Sequence, residues 1–240
     1  MSHYYQTHAI TLHRRDIREN DRLLSFYTQD HGKIQAMVSG AKKIKSRLSG
    51  HLEPFAVVEL GVVRGAKINK VTSAQCIFRY SRLMENIDKM MCAGFCLRFL
   101  NKMVHVGVPD KKIFTLLVSA LEAINTEEPE YDVKIFNAVF TLKAMSLLGY
   151  APELARCVVC KSEDMNEPII FSFNKGGIVC ARCRKGVEGE NISEKERLFL
   201  QKSLQINFHE AMHPNEDEAL YKKYNTLVSR FFMYHLPVSV

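Results

Sequence analysis

Apolar and polar residues alternate in short stretches over residues 8–80, and this pattern predicts β-strands. After a first strand, residues 22–40 predict two more that join at a turn over residues 30–32. A second hairpin in residues 54–80 turns at residues 64–66. Five strands with no helix long enough for a crossover predict a small closed barrel of the OB or SH3 type, and we favour the OB fold.

From about Ser81 onward, the apolar residues recur at the spacing of a helix. Gly107 and Pro109 end the first helix, and residues 111–125 and 131–148 predict two more. These helices indicate a bundle that follows the barrel, which makes the protein an α+β protein. We expect the first helix to bury one broad stripe, which consists of Leu83, Ile87, Met90, Met91, Gly94, Phe95 and Leu97.

Two further helices are predicted near the end of the chain. Ser193 and Glu196 have the spacing of a capping box, in which each side chain bonds to the backbone N–H of the other residue. This box predicts a helix that continues to about Phe208. Residues 216–235 predict the last helix, with one apolar face.

Four cysteines give the strongest chemical signal of the chain. Cys157 and Cys160 form one C-x2-C pair, and Cys180 and Cys183 form another after nineteen residues. Two such pairs can complete a tetrahedron around one structural Zn²⁺, and the strands predicted between them indicate a zinc ribbon embedded in the helical domain. The alternative is a pair of redox dithiols or structural disulfides. Three other cysteines lie in apolar patterns and are expected in the core: Cys76, Cys92 and Cys96.

The composition is that of a folded globular protein, with 47% hydrophobic and 25% charged residues. No apolar run reaches the ~18 residues of a membrane span, and the first residues lack an apolar signal segment, so we expect a cytoplasmic protein. Nucleotide-binding and hydrolase motifs are absent, and no catalytic residue is predicted. His51 and Glu53 imitate the H-x-E element of zinc deaminases, but neither C-x2-C follows a proline, and four cysteines saturate a zinc ion without His51.

Positive charge is concentrated at the start of the chain. Residues 1–80 hold 13 Lys and Arg against 6 Asp and Glu, which accounts for the whole net charge of +7. The segment of residues 39–50, here called the basic loop, has four positive charges and no negative one. This localised field favours a nucleic-acid partner over a merely solvated basic face. The candidate phosphate contacts are Arg14, Arg15, Lys33, Lys42, Lys43, Lys45, Arg47, Lys67 and Lys70.

Three stretches of the sequence are typical of one known family. They are HAITLHRRDIRENDRLLSFYTQDHGKIQAMVSGAKKIKSRLSGHLEPF, then LLGYAPELARCVVC, then GGIVCARC. The chain resembles the bacterial RecO family of recombination mediator proteins over essentially its whole length. The resemblance implies an OB-fold domain in residues 1–80 and a helical domain in residues 81–240, with a zinc-binding insert at residues 157–183.

The resemblance also implies a function in DNA repair and homologous recombination, through the RecF pathway. Proteins of this family bind single- and double-stranded DNA and anneal complementary strands that are coated with single-strand-binding protein. With RecR they help to load RecA onto DNA, and they are located in the cytoplasm at the nucleoid. Two other classes stay open: an RNA-binding or transcription-associated protein with an OB fold and a zinc ribbon, and a zinc enzyme, which requires an open coordination position.

Overall fold

The computed structural model describes residues 4–43, 46, 48–126, 133–212 and 218–236. Their tertiary contacts divide the chain into two compact units, Met1–Pro129 and Glu130–Val240. Among the helices in those ranges, none combines the length and the apolar character that a membrane crossing requires.

Five strands of the first unit close into a barrel in the order β1-β2-β3-β5-β4. Neighbouring strands are antiparallel except β3 and β5, which are parallel. Alternate side chains point inward and form a core that includes Phe26, Val58 and Leu60. This topology confirms the predicted OB barrel. The strands are β1 (Tyr4–Asp16), β2 (Arg22–Thr28), β3 (Gly32–Val38), β4 (Ala56–Val63) and β5 (Asn69–Arg79).

Two helices pack with the barrel in this unit: α1 (Ile87–Met103) and α2 (Lys111–Thr126). Ala9 faces the barrel core, so the next residue of the strand, Ile10, faces outward. Tyr27 pairs with Ile10 across β1 and β2 and faces outward with it, yet both side chains are fully buried. The Tyr27 hydroxyl donates to the carbonyl oxygen of Asp110, between the two helices, at 3.1 Å. The first unit therefore extends past residue 80, and the division into domains at residue 80 stays a prediction.

The buried face of α1 differs from the predicted stripe. Ile87 and Met91 are about three-fifths exposed and Met90 is also exposed, whereas the small residues Cys92 and Cys96 are fully buried. The prediction was correct for Leu83 and Leu97, which are buried, and wrong for the exposed residues. Because α1 carries apolar residues on all sides, hydropathy alone did not identify the packed face. The buried side chains of α1 are Lys89, Cys92, Ala93, Cys96, Leu97, Phe99, Leu100 and Met103.

In its described residues, the second unit combines four helices with a small antiparallel sheet of order β7-β6-β8. The first two of these strands are the predicted ribbon, and the third was not predicted. Its three residues are too few to show an alternating pattern. The elements are α3 (Val133–Leu147), β6 (Ile169–Ser172), β7 (Gly177–Val179), β8 (Glu190–Ile192), α4 (Glu194–Ser203), α5 (Phe208–Met212) and α6 (Glu218–His235).

The capping box at the start of α4 is present as predicted. The Ser193 hydroxyl accepts from the backbone N–H of Glu196, and the Glu196 carboxylate accepts from that of Ser193. The helix ends earlier than expected, at Ser203, because Asn207 starts a new one. The Asn207 side chain accepts from the backbone N–H of Glu210 and so begins α5.

Candidate functional site

Strand register places two of the predicted cations in one row across the outside of the barrel. Arg15 pairs with Leu23, Leu23 with Met37, and Met37 with Lys70. Paired residues project from the same face of a sheet, so these four side chains form a continuous row, here called the barrel row. Strands lie about 4.8 Å apart, which makes the row about 14 Å long. Exposed cations stand at its two ends, and two half-buried apolar side chains lie between them.

The beginning of the basic loop lies at the Arg15 end of this row. The Lys42 ammonium is 3.1 Å from the Asp16 carboxylate, which also accepts a bond from Arg22 at 2.9 Å. Hydrogen bonds from Lys42 and then Arg22 hold the pKa of Asp16 below its usual value. Lys43 is exposed. The remaining two predicted contacts of the loop, Lys45 and Arg47, lie outside the described residues.

Arg14 lies on β1, next to helix α1. Its guanidinium lies 2.7 Å from the Glu53 carboxylate, and both side chains are well exposed, so this pair contributes little to stability. Arg14 and His13 line a cavity of about 200 Å³ with Arg98 of α1. Arg98 was missed by the sequence analysis because charge was counted by segment, and the segment that holds this residue is neutral.

Lys33 has a different environment from the other predicted contacts. Its ammonium donates to the backbone carbonyl of Asn101 in α1, and burial lowers its pKa. The bond ties strand β3 to the end of the helix. Lys67 and Lys70 are exposed on and after the β4–β5 connection. Whether each of these residues contacts a phosphate stays a prediction.

The four cysteines of the two C-x2-C pairs converge in the second unit. Their sulfur atoms all lie within 4.8 Å of one another, and the sulfurs of Cys160 and Cys180 are 3.8 Å apart. A tetrahedral site with metal–sulfur bonds of about 2.3 Å places its sulfurs about 3.8 Å apart. All seven cysteines are free thiols. The cluster therefore fits one metal ion held by Cys157, Cys160, Cys180 and Cys183.

The surroundings of the cluster shift the pKa values of two of its thiols in opposite directions. Burial raises the pKa of the Cys157 thiol, but backbone N–H groups of Cys160, Cys180 and Val159 outweigh it and hold the pKa at about 6. Hydrogen bonding to Cys160, with some burial and the nearby Cys180, raises the pKa of Cys183 to about 12. Four thiolates at this spacing repel one another, and a bound cation relieves that repulsion.

The deaminase-like pair does not join this cluster. His51 belongs to the first unit, where its Nδ1 accepts from the backbone N–H of Cys76 at 3.2 Å. Within the ranges that the structure describes, the four cysteines are the one group of ligand residues close enough to share a metal. Four sulfurs fill a tetrahedral site, which leaves no position for a reactive water.

Two family models match the chain, Recombination protein O N terminal at residues 1–80 and Recombination protein O C terminal at residues 84–239. Several relatives carry the name DNA repair protein RecO. The one from Desulforamulus reducens is 31% identical over 179 residues, which cover 75% of this chain and 68% of the relative. The one from Dehalococcoides mccartyi is 33% identical over 192 residues, or 80% and 74% of the two chains. The one from Caldanaerobacter subterraneus subsp. tengcongensis is 25% identical over 235 residues, or 97% and 93%.

Proposed function

Because the chain belongs to the RecO family of DNA repair proteins, we propose that it binds DNA strands on its barrel and anneals them during recombinational repair. The barrel row carries this proposal. It presents a cation at each end, where phosphates can bind, and apolar side chains in the middle, where unpaired bases can lie. The protein acts through these contacts and catalyses no covalent step.

Annealing requires a surface that neutralises the phosphates of two strands without reading the sequence of either. Lysine and arginine contacts to phosphates are independent of sequence and release bound counterions. The exposed residues Arg15, Lys43 and Lys70 are cations of this kind. Contacts without base readout allow two strands to slide until complementary bases meet, which is the chemistry that annealing needs.

The cysteine cluster holds a structural zinc ion in this proposal. Four thiolates suit Zn²⁺ in tetrahedral geometry, and the ion closes both turns of the ribbon. The backbone N–H of Cys180 points at the sulfur of Cys157, at 3.5 Å, and stabilises its negative charge. Zinc binding would contribute to the free energy of folding of the second unit. The folded unit would then bind the partner proteins.

The proposed partners follow from the family to which the chain belongs. We propose that the protein works with RecR, that it recognises DNA coated with single-strand-binding protein through the C-terminal tail of that protein, and that RecA is loaded as a result. These steps take place in the cytoplasm, at the nucleoid.

An annealing assay tests the proposed function directly. Complementary oligonucleotides, each coated with single-strand-binding protein, are mixed with and without the protein, and duplex formation is followed by fluorescence transfer. We expect clear acceleration, which is lost when Arg15 and Lys70 are both replaced by alanine. The replacement of Lys175 and Lys222, two exposed lysines of the second unit, is the matched control. Binding to RNA with no annealing of DNA would support the RNA-binding alternative instead.

A further inference from the structure

An open cavity of about 380 Å³ lies at one end of the barrel. The β2–β3 turn, the β4–β5 connection and residues 106–109 after α1 meet around it. Ile34, a residue of the barrel core, lines the cavity, so part of its wall is apolar. Sites for small organic ligands begin at about 300 Å³ and often occupy the mouth of a barrel. The cavity is therefore large enough for one nucleobase.

Two aromatic rings and a guanidinium group line this cavity. The rings of Tyr5 and His31 lie 4.1 Å apart between centroids, tilted by 57°. The guanidinium carbon of Arg64 is 5.4 Å from the centroid of the Tyr5 ring. Aromatic rings and arginine planes are the groups on which proteins stack unpaired bases. The lining thus offers flat surfaces of the kind that a base requires.

Polar atoms in the same lining can bond to the edge of a base. The Asp30 carboxylate accepts from the Thr7 hydroxyl at 3.1 Å and lies 3.4 Å from the Lys111 ammonium. The Asn69 amide donates to the carbonyl of Gln35 at 3.1 Å, which orients its plane. Carboxylate and amide oxygens accept hydrogen bonds from the amino and imino groups of bases.

The cavity lies where the barrel row ends. Asn69 lines the cavity, and the next residue, Lys70, is the last cation of the row. Lys70 also pairs with Val63, which directly precedes Arg64 of the lining. A strand whose phosphates follow the row from Arg15 to Lys70 therefore arrives at the mouth of the cavity.

We infer that this cavity takes up one unpaired base of the DNA strand bound on the barrel row, stacked against Tyr5 and His31. The inference rests on the proposed function and deepens it, because it makes the site selective for single strands. A base within a duplex is stacked and paired, and its extraction costs free energy that an unpaired base does not need. Phosphate contacts alone give no such selectivity.

Two probes with the same phosphates measure what the bases contribute to binding, and variants of the cavity separate its share from that of the apolar middle of the row. One is a single-stranded oligothymidine, and the other is an oligomer of equal length in which every base is missing. Fluorescence anisotropy measures the affinity of the full chain for both. We expect the wild type to prefer the intact oligomer by at least about 5- to 150-fold, the range for stacking of one base. Tyr5→Leu should remove most of this preference, since leucine keeps apolar packing but offers no ring.

Further variants keep the test decisive. Tyr150→Leu, in the second unit, is the matched control and should leave both affinities unchanged. Lys70→Ala should weaken the binding of both oligomers by a similar factor. His31→Ala removes the second ring from a turn rather than a strand, so it tests the inference even where Tyr5→Leu lowers stability.

The outcomes distinguish this inference from the proposed function. If the wild type binds both oligomers equally well, or if Tyr5→Leu and His31→Ala keep the full preference, the cavity takes up no base and the inference is wrong. DNA binding on the barrel row is then unaffected. If the wild type binds neither oligomer, the proposed function fails and the inference fails with it.

Discussion

The ammonium of Lys42 lies 3.1 Å from the carboxylate of Asp16, and this pair joins the basic loop to the end of strand β1. Arg22 bonds to the same carboxylate at 2.9 Å. A negative charge therefore stands among the cations that are expected to meet phosphates. In the free protein it holds the start of the loop through Lys42, and we expect it to compete with DNA for both cations.

Replacement of Asp16 by asparagine should raise the affinity for DNA several-fold at low salt. The neutral amide would no longer hold Lys42 and Arg22 electrostatically, so both become available to phosphates. Hydrogen bonds from Lys42 and Arg22 lower the pKa of Asp16, so its carboxylate is ionised at neutral pH and the effect is full there. The difference between variant and wild type should shrink only as the pH falls through that lowered pKa. Anisotropy titrations across salt and pH measure it, and an unchanged affinity would contradict the competition.

The basic loop should account for much of the salt dependence of DNA binding. Each phosphate contact on a single strand contributes about −0.7 to the slope of log affinity against log salt. Replacing Lys42, Lys43, Lys45 and Arg47 together by alanine should flatten the slope by up to about 2.8 and abolish annealing. Lys42 and Lys43 are exposed, so we expect their replacement to leave the fold intact. The matched control replaces four exposed cations of the second unit: Lys175, Arg184, Lys185 and Lys222. If both variants have the same slope of log affinity against log salt, the basic loop is not part of the DNA interface.

Loss of the metal should act on the stability of the second unit and leave DNA affinity largely intact. Cys157→Ser removes a buried ligand, and the ribbon has too few large apolar residues to order itself. We expect loss of zinc by elemental analysis, a lower melting temperature and lower solubility. Cys92→Ser, which changes a buried cysteine of the first unit, should keep the zinc. If a chelated and still folded protein loses DNA binding, the ribbon belongs to the DNA interface.

Substitution of two glycines distinguishes the cost of a steric clash from the cost of backbone strain. Both Gly32 and Gly107 have positive φ, at 63° and 79°. A Cβ on Gly32 would lie 2.1 Å from the carbonyl oxygen of Val108, whereas one on Gly107 has no atom within 4 Å. Gly107→Ala should cost about 1–2 kcal/mol from strain alone, and Gly32→Ala clearly more. Urea unfolding of both variants measures the difference. Equal losses would mean that residues 106–109 shift without cost.

Much of the fold was predicted from local patterns that are clear in the sequence. Alternation and turn residues predicted all five barrel strands, and the spacing of four cysteines predicted their cluster. The capping box at Ser193 was also predicted correctly, because its two hydrogen bonds need only a spacing of three residues. Such signals are short in range, so neighbours in the sequence are enough to reveal them.

The features that were missed depend on contacts between distant residues. The sequence does not reveal that Met37 pairs with Lys70, since strand register in a barrel depends on closure as a whole. Arg98 joins Arg14 only because α1 packs on β1. The exposed side of α1 was misassigned because this helix has apolar residues on all sides, so only its packing partners identify the buried face.

The bond from Tyr27 to Asp110 has a consequence for how much of the chain must accompany the barrel when it is transferred to another protein. The outward wall of the barrel at Ile10 and Tyr27 is fully buried, and removal of α1 and α2 would expose it. Each such side chain is worth about 1.5–3 kcal/mol when buried. A gene segment that ends after β5 would therefore encode a barrel with an exposed apolar flank. We therefore expect a fusion protein that uses this barrel to need both helices, and so the chain through Thr126.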